Sequence, residues 1–553
     1  MVNGSPALSA SSQTPGSPGR TGSRGMLVIA GLLALLSVAL KAALLAADVF
    51  PFNADEAIVA LMARHILRGE WPAFFYGQAY LGSLDPGLVA GGFAAFGERV
   101  LVIRAIQTLL YAGTVFTGTL LSWRLLHSRV AALATGLLLA VPTVNLTLYS
   151  TVSIGGYGEA LLLGQSLLLV TLALLERRRP ALYGAWGLLA GLAFWTFGLT
   201  LVYILPAGVA LAWNDVRLSG RRGRLTHWGL AALGAAAGMA PWLGWAVLHS
   251  PSRLIAELLG SAIASASPAS LPLAWLEHAR NLMLLGGSVI LGFRPPWDTR
   301  WLALPLLPFA LAVWSCVFLH AMGVLRHRDA ALTGRWMIAG VAVTTVAGFV
   351  LTPFGADPSG RYFLPLAYPM AFFAGSLAAD LLPRVGRRWV AGMVALLLAY
   401  NLWGTLDCAR RTPPGLTTQF DPVARIDTSA FDELIALLEA NGEDAGYANY
   451  WVAYPLAFLS EERLIFVPQL PYHTDFRYTD RDKRYPPYNA VVAESYRAAD
   501  ITTNHPALDD LLRAEFTRLG VEFTEATVGG FHIFYGLSDK VTREAIEIPA
   551  EGS

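Results

Sequence analysis

Eleven runs of apolar residues punctuate the chain, near positions 26–47, 100–124, 129–148, 158–176, 181–198, 199–213, 228–248, 302–325, 335–352, 363–382 and 388–406. A helix of about 20 residues rises about 30 Å, the thickness of a bilayer's hydrocarbon core. The pattern predicts a polytopic α-helical membrane protein with about 11 transmembrane helices. The first run, about 22 residues long, suits a retained span better than a cleaved signal peptide. The two runs within 181–213 are short, and one longer tilted helix is the alternative there. Five connections carry the arginines: SWRLLHSR, ERRRP, NDVRLSGRRGR, RHRDAALTGR and PRVGRR. Short basic connections stay cytoplasmic, and an eleven-span count puts all five on the side of the N-terminus. Residues 48–99, 149–157, 249–301, 353–362 and everything after 406 then face outward. The expected location is the cytoplasmic membrane, with the N-terminus inside and the C-terminal domain extracytoplasmic.

After Asp407 the pattern changes. FDELIALLEANG (431–442) and HPALDDLLRAEFTRLG (505–520) read as amphipathic helices, RLIFVPQ (463–469) and FHIFYGL (531–537) as strands. The chain thus divides into a Ser/Gly/Pro-rich tail over 1–25, expected to be disordered, a transmembrane domain over 26–406 with an outer loop at 48–99, and a soluble α/β domain over 407–553. Two apolar stretches are too short and glycine-rich to span. GSLDPGLVAGGFAAFGE (82–98) and LMLLGGSVILGF (282–293) are expected to be interfacial or re-entrant.

Composition agrees with a membrane protein. Apolar residues make up 55% of the 553 positions and charged ones 14%, against about a quarter in soluble chains. Membrane lipids are expected partners, and no nucleic-acid partner is expected. Cys316 and Cys408 fall at different depths, so no disulfide is expected. No glycine-rich phosphate loop or metal-ligand cluster is legible, and the scattered histidines read as structural or solvated.

The chemistry gathers at the outward edge. FNADEAIVALMARHILRGE (52–70) places Asp55 and Glu56 side by side just after the first span. Asn53 followed three positions later by Glu56 resembles a capping box, which gives Glu56 a structural role. Asp55 heads the stripe Ile58, Val59, Met62 and Ile66, whereas a merely solvated carboxylate would sit with Arg64 and Arg68. A carboxylate pressed toward apolar surroundings is a functional candidate. FFYGQAYLGSLD (74–85) adds Tyr76, Gln78, Tyr80 and Asp85, a mixture of rings and amides that suits sugars, although interfacial tyrosine belts look the same. Glu159 opens the helix after SIGGYG, where capping is the alternative. Arg294 and Arg300 in GFRPPWDTR can equally meet lipid headgroups, and Arg361 with Tyr362 stands at the mouth of a late span. Lys41, inside the first span, reads as a snorkelling lysine.

The order of these features resembles the GT-C superfamily of polyprenyl-phosphate-sugar-dependent glycosyltransferases. Within it, the bacterial family 39-type members are similar: protein O-mannosyltransferases, aminoarabinose transferases of lipid A and rhizobial lipopolysaccharide galacturonosyltransferases. NADEAIVALMARHILRGEWPAFFYGQAYLGSL carries most of the likeness, with FAAFGERVLVIR (93–104), SGRYFLPLAYP (359–369) and, more loosely, NYWVAYPLAFLSEERLIF (449–466). The resemblance implies transfer of a sugar from a polyprenyl-phosphate donor to a lipid, glycan or protein acceptor on the outer face, usually with inversion. It implies Asp55 as the base, Glu56 shaping the site, and Arg361 with Tyr362 at the phosphate, with Arg294 second. Protein mannosyltransferases have an Asp where this chain offers Glu159. Some relatives bind a divalent metal; no ligand set is legible here, so the metal is left open and no other cofactor is implied. Two other classes fit a polytopic chain. A lipid-linked glycan flippase or transporter would carry ionisable groups deep in its spans, and a non-catalytic scaffold would use the acidic pair only as a cap.

Overall fold

The computed structural model describes residues 20–218, 220–259, 271–328, 331–357, 359–411 and 415–546. Residues 1–19 of the expected tail lie outside them. Each of the eleven apolar runs contains helix, though 129–148 breaks into Arg129–Ala140 and Val144–Tyr149. Among the described residues eight helices are long and apolar enough to cross a membrane, from Arg24–Ala46 to Arg387–Ala409. Arg221–Gly238 and Ala240–Leu248 are bent by 68° at their junction and make a ninth span if counted as one. Arg129–Ala140 and Pro180–Thr196 are shorter, at 12 and 17 residues. The expected count of eleven is therefore not reached by length among the described residues. The pair at 181–213 does remain two helices, joined at Gly198–Thr200.

Close packing uses small residues. A Cβ on Gly187 or Gly191 would fall within 2.1 Å of a backbone oxygen of the facing helix, at Ala231 and Ala235, so Pro180–Thr196 and Arg221–Gly238 meet backbone to backbone. A cavity lined by Arg124, His127, Glu176, Asn214, Arg335 and Asp380 gathers basic connections at one end of the bundle. The loop carrying Asp55, the segment 353–366 and the C-terminal domain pack at the other.

GSLDPGLVAGGFAAFGE forms the short helix Leu84–Phe96, and 282–290 forms one π-helical turn running into Gly287–Ile290. Strands β1 (Phe74–Phe75) and β2 (Gln78–Gly82) make a small antiparallel hairpin. The C-terminal domain holds β3 (Ala445–Ala448), β4 (Ile465–Pro468), β5 (Ala499–Thr503), β6 (Thr524–Val528) and β7 (Phe531–Tyr535). Their order is β4-β3-β5-β7-β6; β3 runs parallel to β4 and β5, while β7 is antiparallel to β5 and β6. The two expected strands are β4 and β7. β3 and β5 lack an alternating pattern because they are buried on both faces.

The C-terminal domain does not hang free. Its helix Tyr450–Leu459 packs along Ala54–Leu67, with Phe458 against Phe52 and Phe93. This overturns one expectation about the loop helix. Arg64 is buried rather than solvated, donating to Glu98 at 2.6 Å and to the Phe458 carbonyl at 3.1 Å, because the domain covers its polar face.

Candidate active site

Helix Ala54–Leu67 begins where Asn53 in extended backbone accepts the Glu56 N–H at 3.0 Å. Glu56 is fully buried and grips Arg104 with both oxygens, at 3.0 and 2.9 Å, while Asn53 donates to it at 3.2 Å. Its carboxylate is filled by this ion pair, so the structure makes Glu56 an anchor between the loop and the span Val100–Leu126. Asp55 sits about 100° around the helix and is only partly buried. Its Oδ1 accepts the Tyr450 phenol at 2.6 Å. Burial, and then the Asp55 charge, push the Tyr450 hydroxyl well above its ordinary range, which keeps it a donor.

Tyr450 comes from a position 395 residues downstream. The loop between β4 and Pro487–Glu494 brings two more groups. Arg484 lies 5.6 Å from the Tyr450 ring, and its terminal nitrogens donate to the Gln78 amide oxygen at 2.7 and 2.9 Å, with that amide oriented to suit. Burial works against the Arg484 charge, but Tyr450, Tyr80, Asp55 and Asp482 outweigh it. Asp482 is buried; desolvation pushes its carboxyl up to about 7, Arg484 opposing and Asp55 adding to the rise. No helical period or motif marks these three residues. The only sequence signal was the loose block beginning at Asn449, which caps the helix carrying Tyr450.

The hairpin is fixed from below. Tyr76 bonds His65 Nδ1 at 2.8 Å and stacks on Tyr485 at 4.6 Å. On its other nitrogen His65 meets Glu462 at 2.8 Å, and Glu462 also accepts from Arg68 at 2.7 Å and Tyr488 at 2.9 Å. Tyr76 therefore braces the interdomain contact, Gln78 faces Arg484, and Tyr80 packs between Phe197 and Phe354.

Arg361 and Tyr362 stand beside Tyr80. Arg361 pairs with Asp357 at 2.5 Å, lies 5.1 Å from the Tyr362 ring, and leaves its Nε buried without a hydrogen-bond partner. Gly360 holds this turn at φ +91°, where a Cβ would strike Asn145 and Val289 at 2.6 Å. From Tyr80 and Tyr362 an apolar cavity of about 270 Å³ runs past Phe349 and Val202 between Gly198–Leu218 and Leu332–Leu351.

The remaining candidates lie apart from this cleft. Arg294 donates to Ser288 Oγ at 2.8 Å and to the carbonyls of Asp298, Leu285 and Pro295 at 3.0, 3.1 and 3.3 Å, so its donors tie its own loop together. Arg300 pairs with Asp407 at 2.9 Å. Glu159 is buried with Asp85, whose carboxylate accepts from Gln107 at 2.8 Å and from Ser153. Burial holds the Asp85 carboxyl above the usual carboxylate range. Lys41 does not snorkel. It is buried, donating to Thr151 Oγ1 at 2.6 Å and Ser150 Oγ at 2.8 Å, because those hydroxyls meet its amine inside the bundle. Among the described residues no three His, Cys, Asp or Glu side chains gather to hold a metal.

The fold, a multi-pass bundle capped by an α/β domain with a polar cleft at their junction, is GT-C-like, and the chain is a multi-pass membrane protein. The solved structures it is similar to include ArnT from Cupriavidus metallidurans. With undecaprenyl phosphate bound, ArnT matches at TM-score 0.55 and 14% identity over 93% of this chain and 98% of that one; the apo state matches at 0.57 with the same identity and coverage. The oligosaccharyltransferase AglB from Archaeoglobus fulgidus, in complex with an inhibitory peptide and a dolichol-phosphate, matches at 0.51 and 13% identity over 96% of this chain and 76% of its own. No family model matches the chain, and no curated protein matches it.

Proposed function

We propose that this protein is a glycosyltransferase that moves a sugar from a polyprenyl-phosphate donor to an acceptor hydroxyl in the Asp55 cleft. The observation that carries the reading is the partly buried Asp55 in the same cleft as Arg484, with Arg361 and the mouth of an apolar cavity nearby at Tyr80 and Tyr362. Two similar folds hold undecaprenyl phosphate or a dolichol-phosphate. In this chain the prenyl tail enters the cavity below Tyr80 and Tyr362, and Arg361 meets the phosphate with a planar fork. Asp55 takes the proton of the acceptor hydroxyl as its oxygen bonds the anomeric carbon. The bond from that carbon to the phosphate oxygen breaks, and its electron pair leaves with the prenyl phosphate. Attack opposite the leaving group inverts the centre. Tyr450 fixes the Asp55 rotamer and leaves Oδ2 for the acceptor. Glu56 supports the helix, and no step is routed through a metal.

The cleft faces outward on this reading, which the arginine connections at the other end support. A phosphatase fused after Ser553 is active only if its domain is extracytoplasmic; a silent fusion with an active cytoplasmic reporter reverses the orientation. The function itself is tested with purified protein and a panel of prenyl-phosphate sugars, following loss of sugar from the lipid. Mass spectrometry of envelope glycans and glycoproteins with and without the gene names the acceptor. Unchanged envelope glycans, together with no turnover of any donor, would defeat the proposal.

A further inference from the structure

The guanidiniums around the cleft differ in one respect. Arg64, Arg104 and Arg361 are each ion-paired, with Glu98, Glu56 and Asp357. Arg484 forms no ion pair among the described residues; its contacts are the neutral Gln78 amide and the Tyr450 ring, and its Nε is buried without a hydrogen-bond partner. The carboxylates that favour its charge, Asp55 and Asp482, act from beyond ion-pair distance, so its buried Nε is left for a closer acceptor. Space is kept for the side chain. Gly77 stands at φ +70°, and a Cβ there would press on the Arg484 side chain at 2.9 Å. The Arg484 N–H is fixed by the Tyr454 hydroxyl at 2.6 Å, and Tyr454 itself donates to the Asp482 carbonyl at 2.8 Å. The guanidinium is therefore held in place with its Nε open toward a bound anion.

We propose that Arg484 is an oxyanion-binding residue supplied by the C-terminal domain, taking a phosphate or carboxylate of a substrate in the cleft beside Asp55 and Tyr80. Its position beside Gln78 and Tyr80 lets the fork of the guanidinium approach the same space as the Asp55 carboxylate. Two substrates can bring the anion, the prenyl phosphate or an acidic acceptor. The inference rests on reading this cleft as the transfer site, but its test does not depend on turnover.

Purified full-length protein is titrated with undecaprenyl phosphate, with neutral undecaprenol and with inorganic phosphate, following tryptophan fluorescence. Arg484→Gln is expected to weaken one phosphate probe about tenfold or more while undecaprenol binding holds. Loss confined to undecaprenyl phosphate assigns Arg484 to the donor, and loss confined to inorganic phosphate assigns it to an acidic acceptor. Equal phosphate affinities in variant and wild type overturn the proposal. Should Arg484→Gln lose undecaprenol as well, Arg484→Lys decides: it keeps the charge, and recovered undecaprenol binding with partial phosphate binding supports the site, while failure to recover either overturns it. A wild type that binds inorganic phosphate through Arg484 but never undecaprenyl phosphate would defeat the donor reading and leave this one standing.

Discussion

Asp55 and Glu56 are neighbours in sequence on one helical turn, yet they occupy opposite worlds. Glu56 is sealed into a two-pronged contact with Arg104, and nothing can reach it. Asp55 keeps part of its surface open, has one partner that is neutral, and looks across the cleft toward unfilled guanidinium donors. A carboxylate whose lone pairs are filled by a cation supports a fold. One whose second oxygen is left open can accept a proton from a substrate.

Four experiments would break or sharpen that contrast. Asp55→Asn keeps shape but cannot accept the acceptor's proton, so transfer is expected to fall by roughly 10²–10⁴-fold with monodispersity intact. Near-full single-turnover activity in that variant would remove Asp55 from the chemistry. Glu56→Gln leaves Arg104 buried without its counter-charge, at a cost of about 3–5 kcal/mol. That loss should appear as a lower melting temperature and poor yield, a larger effect than loss of a cap, which is about 1 kcal/mol. A Glu56→Gln protein of normal stability and no activity would swap the two roles.

Tyr450→Phe removes the hydrogen bond to Asp55 while keeping the ring. A hydrogen bond to a charged group is worth about 1.5–3 kcal/mol, so kcat should drop about tenfold or more with little change in KM. A rise in donor KM with unchanged kcat would instead place Tyr450 in donor binding. The smallest effect concerns the contact that keeps the C-terminal domain in place. Burial alone would raise the Glu462 carboxyl, but bonds from His65 and Tyr488 and the charge of Arg68 bring it from 4.5 down to about 2. Its folded-state pKa is depressed, so its stabilisation is present above about 4.5 and is lost as pH falls toward about 2. Melting temperature should decline across that window, and Glu462→Gln should flatten this part of the decline. An unchanged slope would show that the contact adds no stability.

How much of this was legible beforehand varies with the range of the interaction. The apolar runs, the α/β character after Asp407 and the placing of Asp55 at a helix start follow from periods of a few residues. Such periods are set by backbone geometry and by burial of one face, so they are written locally. Arg361 with Tyr362 was visible for the same reason, as a polar pair at the mouth of an apolar run. Lys41 was misread, and the loop contacts of Arg294 were not visible, because a lysine within a span and an arginine near a membrane look alike whether or not buried acceptors await them. Those acceptors, Ser288 with the loop carbonyls and the hydroxyls of Ser150 and Thr151, are brought in by the fold.

The sequence by itself determined that the chain lies in a membrane, that it ends in an α/β domain, and that an acidic helix start heads its first loop. Tertiary structure decided which of the two acids stays open, because Arg104 comes from a different helix. It also decided that the C-terminal domain supplies Tyr450, Asp482 and Arg484 to the cleft, through contacts separated by about 400 positions, 395 for Tyr450. No periodicity reaches that far. A charged side chain in a loop acquires a role only when packing fixes what it faces and how much water remains around it.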